Sequence, residues 1–127
     1  MVLAQLSVRR GPDALKFYAA AFGAVVDYQV GDEEIVAQLS IGDAVFWVSD
    51  EAPSVGNFSP ETVGGCTCRL LLIADDPDAM VDRAVSAGAT LVYACADQHG
   101  WRLGRVLDPF GHHWEIGKPL TEWPPHT

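Results

Sequence analysis

Residues 13–28, DALKFYAAAFGAVVDY, and residues 78–93, DAMVDRAVSAGATLVY, are two copies of one pattern, and this repeat decides the fold. Six of the sixteen aligned positions are identical, where unrelated sequences would share about one. The second copy begins 65 residues after the first, which is about half of the 127-residue chain. A repeat at half the chain length predicts a duplicated module rather than a long solenoid.

Each copy predicts a helix that leads into a strand. Apolar residues recur at helical spacing after Pro12 in the first copy and after Pro77 in the second, and proline is favoured in a first helical turn. Gly23 and Gly88 follow at the positions where a left-handed C-terminal cap needs glycine. The β-branched and aromatic residues after each glycine favour a strand.

The flanking segments complete two modules of order βαβββ. Residues 3–8 and 68–73 are predicted strands before the helices, and hairpins follow at 36–49 and 102–117 around glycine-containing turns. Residues 51–65 lack periodicity and are predicted to be a connecting loop. We therefore expect one α+β domain over residues 1–127, with module one at about 1–50, the linker at 51–65, module two at about 66–118 and a tail at 119–127.

The composition is that of a globular protein, with 49% apolar and 20% charged residues and a net charge of −9. This charge repels nucleic acid and anionic membranes and favours neutral or cationic small molecules. No apolar stretch is long enough to span a membrane and the N-terminus lacks a secretory pattern, so we expect a cytoplasmic protein. Cys66 and Cys68 are predicted to be reduced and packed in the core on one face of a strand.

These segments together resemble the vicinal oxygen chelate superfamily, which comprises glyoxalases, bleomycin-resistance proteins and dioxygenases, and within it the PhnB-like branch. The matching pieces are DALKFY (13–18), AFGA (21–24), NFSP (57–60), GG (64–65), DPDA (76–79), RA (83–84), AGA (87–89) and DPFGHHWEI (108–116). The resemblance implies a curved mixed sheet around a ligand cavity, helices on the outside, and a homodimer. Its metal-dependent members hold a divalent cation with four inward-facing side chains, mostly His and Glu.

Only one of the four metal positions implied by the resemblance carries a suitable ligand here. The last-strand position falls on Glu115, and the first-strand position falls on Leu3, or on Gln5 if the register slips by two residues. The other two positions fall near Trp47 and Arg69. Because a guanidinium has no lone pair to donate, Arg69 would repel a cation. We therefore expect no metal and no other cofactor.

Strand alternation places His113, Glu115 and Arg69 on the cavity side and Trp114 on the helix side. Arg69 and Glu115 are then expected to form an ion pair in place of a metal. The predicted ligand-binding residues are Gln5, Trp47, Arg69, Trp101, His113 and Glu115. His112 belongs to a turn with a structural role, whereas His99 and His126 lie in a loop and in the tail.

The leading hypothesis is a metal-independent small-molecule-binding protein whose ligand is planar or cationic. The alternative is a lyase, isomerase or dioxygenase-type enzyme of the same superfamily. Such an enzyme would be metal-dependent, or metal-free with Glu115 or His113 as the proton carrier. A structural or regulatory dimer without a ligand is a third reading of the same sequence.

Overall fold

The computed structural model describes residues 1–125, so the tail residue His126 lies outside the described part. The structure confirms the α+β class and the two βαβββ modules. The strands are β1 (Gln5–Val8), β2 (Val25–Val30), β3 (Val36–Ile41), β4 (Ala44–Asp50), β5 (Arg69–Ile73), β6 (Thr90–Gln98), β7 (Trp101–Leu107) and β8 (His113–Pro119). The α-helices are α1 (Gly11–Phe22), α2 (Pro60–Val63) and α3 (Pro77–Ala87).

The two modules form two four-stranded sheets with the same topology. The strand orders are β1-β4-β3-β2 and β5-β8-β7-β6. In each sheet the first strand runs parallel to the last, and the other pairs are antiparallel. The register slips between Val26 and Tyr28 in one sheet and between Leu91 and Tyr93 in the other, at equivalent places. Within residues 1–125 no strand pairing joins the sheets, so the structure has two mixed sheets where one continuous curved sheet was expected.

Both long helices begin and end where the sequence predicts. Each carries a proline in its first turn, and the Asp76 side chain caps α3 by accepting a hydrogen bond from the backbone N–H of Ala79 at 3.1 Å. Gly23 and Gly88 end them with positive φ angles of 71° and 124°, which a side chain would strain.

The core lies between the helices and one face of each sheet. Trp114 of β8 is its centre, with its ring centroid 4.7 Å from that of Phe22 and 5.4 Å from that of Tyr18, both on α1. It also packs edge-on against Phe46 of β4 at 5.7 Å. Because these ring contacts run from β8 of module two to α1 and β4 of module one, Trp114 packs the two modules together, and large aromatic rings bury much apolar area.

The buried carboxylate of Asp108 fixes the same junction with four hydrogen bonds. Its Oδ1 accepts from the backbone N–H groups of Phe110 and His112 at 2.9 and 3.0 Å. Its Oδ2 accepts from the Tyr18 hydroxyl at 2.5 Å and from Trp114 Nε1 at 2.9 Å. The turn before β8 is therefore tied to α1 across the module boundary.

Two local predictions differ from the structure. The linker is not one irregular loop, because a 3-10 turn spans Pro53–Val55 and α2 follows it with the buried Ser59 as its N-cap. The prediction that Cys66 and Cys68 pack in the core was wrong. β5 begins only at Arg69, which leaves Cys68 exposed and Cys66 partly exposed; all three cysteines are free. No helix within residues 1–125 is long and apolar enough to cross a membrane.

Candidate functional site

The second sheet buries one face against the helices and leaves the other face accessible. Along β7 and β8 the buried side is formed by Gly104, Val106, Trp114 and Ile116. The alternate residues point the other way. We call this side the open face and define it by Arg69, Leu71, Tyr93, Arg105, His113 and Glu115.

An ion pair between Arg69 and Glu115 lies on the open face. Arg69 Nε donates to Glu115 Oε1 at 2.5 Å. The Arg69 side chain is 59% exposed, whereas that of Glu115 is only 16% exposed. The carboxylate is thus held at the base of the face and the guanidinium extends into solvent.

Arg105 and Tyr93 complete this cluster and were not predicted as site residues. Arg105 Nη2 donates to the same Glu115 Oε1 at 3.3 Å, and the Tyr93 hydroxyl donates to Oε2 at 3.3 Å. The guanidinium carbon of Arg105 lies 5.3 Å from the centroid of the Tyr93 ring, a cation–π arrangement. The sequence contained the information needed to predict Arg105. In a hairpin that reverses at residues 108–112, the residue of β7 that pairs with Glu115 of β8 is Arg105. Tyr93 is a repeat identity, equivalent to Tyr28.

These contacts set the charge state of Glu115. Partial burial raises the pKa of Glu115, but the hydrogen bond from Arg69 and the positive charges of Arg105 and Arg69 outweigh it. The net effect lowers the pKa below its ordinary 4.5. Because the carboxylate stays ionised between two guanidinium groups, the cluster carries a net charge of about +1 in a protein of net charge −9.

His113 lies beside this ion pair with one ring nitrogen unused. It is the register partner of Arg69 across β5 and β8. Its side chain is half-buried, and its Nδ1 is buried without a hydrogen-bond partner among the described residues. Because this nitrogen is buried, a molecule bound on the open face does not contact it directly.

The other predicted ligand-binding residues make their contacts outside this cluster. Gln5 and Trp47 are register partners in the first sheet, where Trp47 packs edge-on against Tyr28 at 6.3 Å. No hydrogen bond, ion pair or ring contact within residues 1–125 joins them to Glu115. Trp101 lies at the start of β7 and packs against Trp123 at 5.4 Å. Among the predicted set, the described residues show one direct bond, between Arg69 and Glu115, with His113 next to Arg69 in the strand register.

Gln5 instead lines a separate cleft of about 380 Å³ between β1 and the segment before β5. Cys66, Cys68 and Leu70 form its other wall, and Phe58 and Pro60 contribute from the linker. The buried His112 also reaches this cleft and ties the modules together, since its Nε2 lies 3.0 Å from the carbonyl oxygen of Ser7.

The donor set of the open face does not suit the divalent cation that the resemblance implies. Both oxygens of Glu115 already accept hydrogen bonds, and a guanidinium nitrogen contacts one of them at 2.5 Å. Residues 1–125 contain no group of three or more His, Cys, Asp or Glu side chains placed to hold a metal. A cation here would face two positive charges with one carboxylate ligand.

Comparison with known proteins agrees with this architecture. The model of the glyoxalase-like domain family matches residues 5–117. An uncharacterized protein of Mycobacterium bovis is 38% identical over 124 residues, covering 92% of this chain and 82% of that protein. A solved Arabidopsis thaliana gene product has a TM-score of 0.74 at 30% identity, covering 93% of this chain and 98% of that one.

A glyoxalase/bleomycin resistance protein/dioxygenase family enzyme from Burkholderia phytofirmans has a TM-score of 0.71 at 20% identity. The match covers 93% of this chain and 97% of that one. At that identity the likeness concerns the fold alone. The repeated βαβββ module with its two four-stranded sheets is the fold that this chain shares with these structures. The chain belongs to the glyoxalase-like domain family.

Proposed function

We propose that this chain is a metal-independent small-molecule-binding protein of the glyoxalase and bleomycin-resistance type, within its PhnB-like branch. The observation that carries the proposal is the state of Glu115, the one metal-ligand position retained. Its carboxylate accepts hydrogen bonds from Arg69, Arg105 and Tyr93. The two arginines supply the countercharge that a metal would supply in a metal-dependent relative.

The open face also offers apolar surface to a ligand. Leu71 of the open face is 51% exposed next to the ion pair, and Ile73, two residues further along β5 on the same side, is 54% exposed. Ligand sites combine apolar walls with a few fixed polar groups, which is the composition of this face.

We further propose that the protein acts as a cytoplasmic homodimer. The outer strands of both sheets leave apolar side chains in solvent, among them Val25, Tyr28 and Val30 on β2 and Leu91 and Val92 on β6. A second copy of the chain would cover such a surface and close the open face.

His113 favours a second candidate, a metal-free lyase or isomerase. His113 lies next to Arg69 in the strand register, and an imidazole is a common proton carrier in enzymes. Glu115 is less suited to this role, because the two guanidinium groups lower its pKa and so weaken it as a base.

The test of metal independence is a thermal-unfolding screen of the purified, tag-free protein against nickel, zinc, manganese, iron and magnesium ions. It is run on the wild type, Glu115→Ala and the control Glu61→Ala, which removes an ion-paired carboxylate outside the site. A ligand that binds only the native state raises the Tm. We expect no cation to stabilise any of the three proteins and elemental analysis to find no stoichiometric metal. A cation that raises the Tm of the wild type and of Glu61→Ala, but not of Glu115→Ala, would overturn the proposal.

A second arm tests for binding itself. Saturable quenching of tryptophan emission by members of a small-molecule library is expected for a binding protein. Turnover of a bound compound that disappears in His113→Gln would favour the metal-free enzyme. Complete absence of saturable binding across the library would instead favour a structural or regulatory dimer.

A further inference from the structure

The open face holds more positive than negative charge at the place where a ligand would bind. Two guanidinium groups, Arg69 and Arg105, converge on a single oxygen of Glu115, at 2.5 and 3.3 Å. One carboxylate neutralises one of the two charges, so about one positive charge is left over. A protein of net charge −9 thus concentrates an uncompensated cation on this face.

The donors of this cluster are also under-used. Of the N–H groups on Arg69, only Nε has a partner within residues 1–125, and the side chain is 59% exposed. Arg105 uses only Nη2, and its Nε is buried without a partner. The unpaired Arg105 Nε and His113 Nδ1 are themselves buried, so the free donors that a ligand can reach on this face are the Nη groups of Arg69.

Arg102, on the same strand as Arg105, does not share this pattern. It lies on the opposite side of that strand, where it bonds both carboxylate oxygens of Asp78 at 2.7 and 2.8 Å and Asp97 at 2.9 Å. There two carboxylates surround one guanidinium. The excess of positive charge is therefore a property of the open face and not of β7 as a whole.

We infer that the open face is an anion-binding subsite and that the ligand carries a carboxylate or a similar oxyanion next to an apolar body. This inference rests on the proposed small-molecule binding and names the chemical class of the ligand. The accessible Nη groups of Arg69 bind the anion, and the charge of Arg105 attracts it. Leu71 and Ile73 contact the apolar part. The overall negative charge of the chain favours a cationic ligand. The positive charge at the open face acts at shorter range, and it therefore determines that the bound ligand is an anion.

Glu115 competes with the ligand in this arrangement. Its carboxylate occupies guanidinium N–H groups that an incoming anion would otherwise use. Removing its charge while keeping its shape therefore strengthens anion binding, whereas removing either guanidinium weakens it. A variant that merely damaged the fold would weaken anion binding whichever residue of the ion pair was changed. Stronger binding in the Glu115 variant together with weaker binding in the arginine variants therefore cannot result from loss of structure.

The experiment uses three planar probes of nearly the same shape and different charge: benzoate, benzamide and benzamidinium. Each is titrated at millimolar concentration into ¹⁵N-labelled protein in a low-salt buffer, and the Kd is taken from shifts of residues on the open face. The variants are Arg69→Gln, Arg105→Gln and Glu115→Gln, with Arg102→Gln as the matched control. The amide spectrum of each variant reports whether it is folded, and the exposed Arg69→Gln keeps the test usable if Arg105→Gln is not.

We expect benzoate to bind about tenfold or more tightly than benzamide or benzamidinium, the effect of one charge-assisted hydrogen-bonding site. Arg69→Gln and Arg105→Gln should each weaken benzoate about tenfold, Glu115→Gln should strengthen it, and Arg102→Gln should leave it within twofold. Equal binding of the three probes, or equal weakening by Arg102→Gln, would overturn the anion subsite while leaving small-molecule binding intact. No shift of the open face by any probe would overturn it too, and metal independence would still be decided by the cation screen alone.

Discussion

Tyr18→Phe should destabilise the protein strongly although it removes a single oxygen atom. Tyr18 is fully buried on α1, and its hydroxyl donates to Asp108 Oδ2 at 2.5 Å. Burial, and after it the negative charge of Asp108, raises the pKa of Tyr18 well above its ordinary 10, so the hydroxyl stays protonated and donates. Phenylalanine keeps the ring contacts with Trp114 and Phe22, so the loss is confined to the hydrogen bond.

A hydrogen bond to a charged acceptor contributes about 1.5 to 3 kcal/mol. For a chain of this length that corresponds to a fall in Tm of about 6 to 11 °C. Urea denaturation should give a lower midpoint with an unchanged m value. The matched control is Tyr93→Phe, which removes a longer and exposed bond to Glu115 and should cost less than about 0.5 kcal/mol.

A double-mutant cycle with Asp108→Asn separates this bond from other effects. Asparagine turns an NH₂ group toward N–H donors, so that variant alone should lose about 3 kcal/mol or more. The coupling energy between Tyr18 and Asp108 should exceed about 1 kcal/mol. A Tyr18→Phe penalty no larger than that of Tyr93→Phe, or a coupling near zero, would refute the view that Asp108 joins the modules.

Three further outcomes follow from the contacts. Because the folded state lowers the pKa of Glu115 below 4.5, its ion pairs stabilise the protein above that pH. The cost of Glu115→Gln in chemical denaturation should therefore be full at pH 7 and shrink as the pH falls below 4.5. Gly11→Ala should cost about 1 to 3 kcal/mol of folding free energy, because a Cβ there would collide with the Asp50 carboxylate, which accepts a hydrogen bond from the Gly11 N–H at the start of α1. The control Gly65→Ala should be tolerated, because Gly65 has open space around it and an ordinary φ. Burial raises the pKa of Cys95, so iodoacetamide should modify the exposed Cys68 several-fold faster, as measured by peptide mass mapping.

The sequence predicts the frame of the fold well because its signals are local. β3 spans Val36–Ile41 as expected, since a glycine turn fixes where the hairpin reverses. The same logic fixes both helix ends at Gly23 and Gly88. β1 was expected from residue 3 but begins at Gln5, because its length depends on its parallel partner β4, which is distant in sequence.

Contacts between distant residues set the limit of prediction. The amide bonds of Asp108 within its own turn are a local pattern, but its bond to Tyr18 joins residues 90 positions apart. The pairing of Arg69 with Glu115 was predicted because both lie on one face of adjacent strands. Whether Trp47 shares a site with Glu115 depends on how the two sheets are placed relative to one another, which the strand pattern within one module does not determine.

Comparing the two modules strand by strand resolves which residue of module one corresponds to Arg69. Tyr28 and Tyr93 are equivalent in the repeat, and each follows the same slip in register. Crossing each sheet from its tyrosine leads to Trp47 in the first and Glu115 in the second. Trp47 pairs with Gln5 as Glu115 pairs with Leu71.

Arg69 lies two residues before Leu71, so its equivalent lies two residues before Gln5, which is Leu3. By this correspondence the module-one equivalent of Arg69 is Leu3, which lies just before β1, and not Gln5. The duplicated frame then carries neutral groups in module one, where Tyr28 contacts the Trp47 ring, and charged groups in module two, where Tyr93 contacts Glu115. Since a leucine and a tryptophan cannot replace metal ligands, restoring a metal would require changes in both modules, whereas binding an anion requires none.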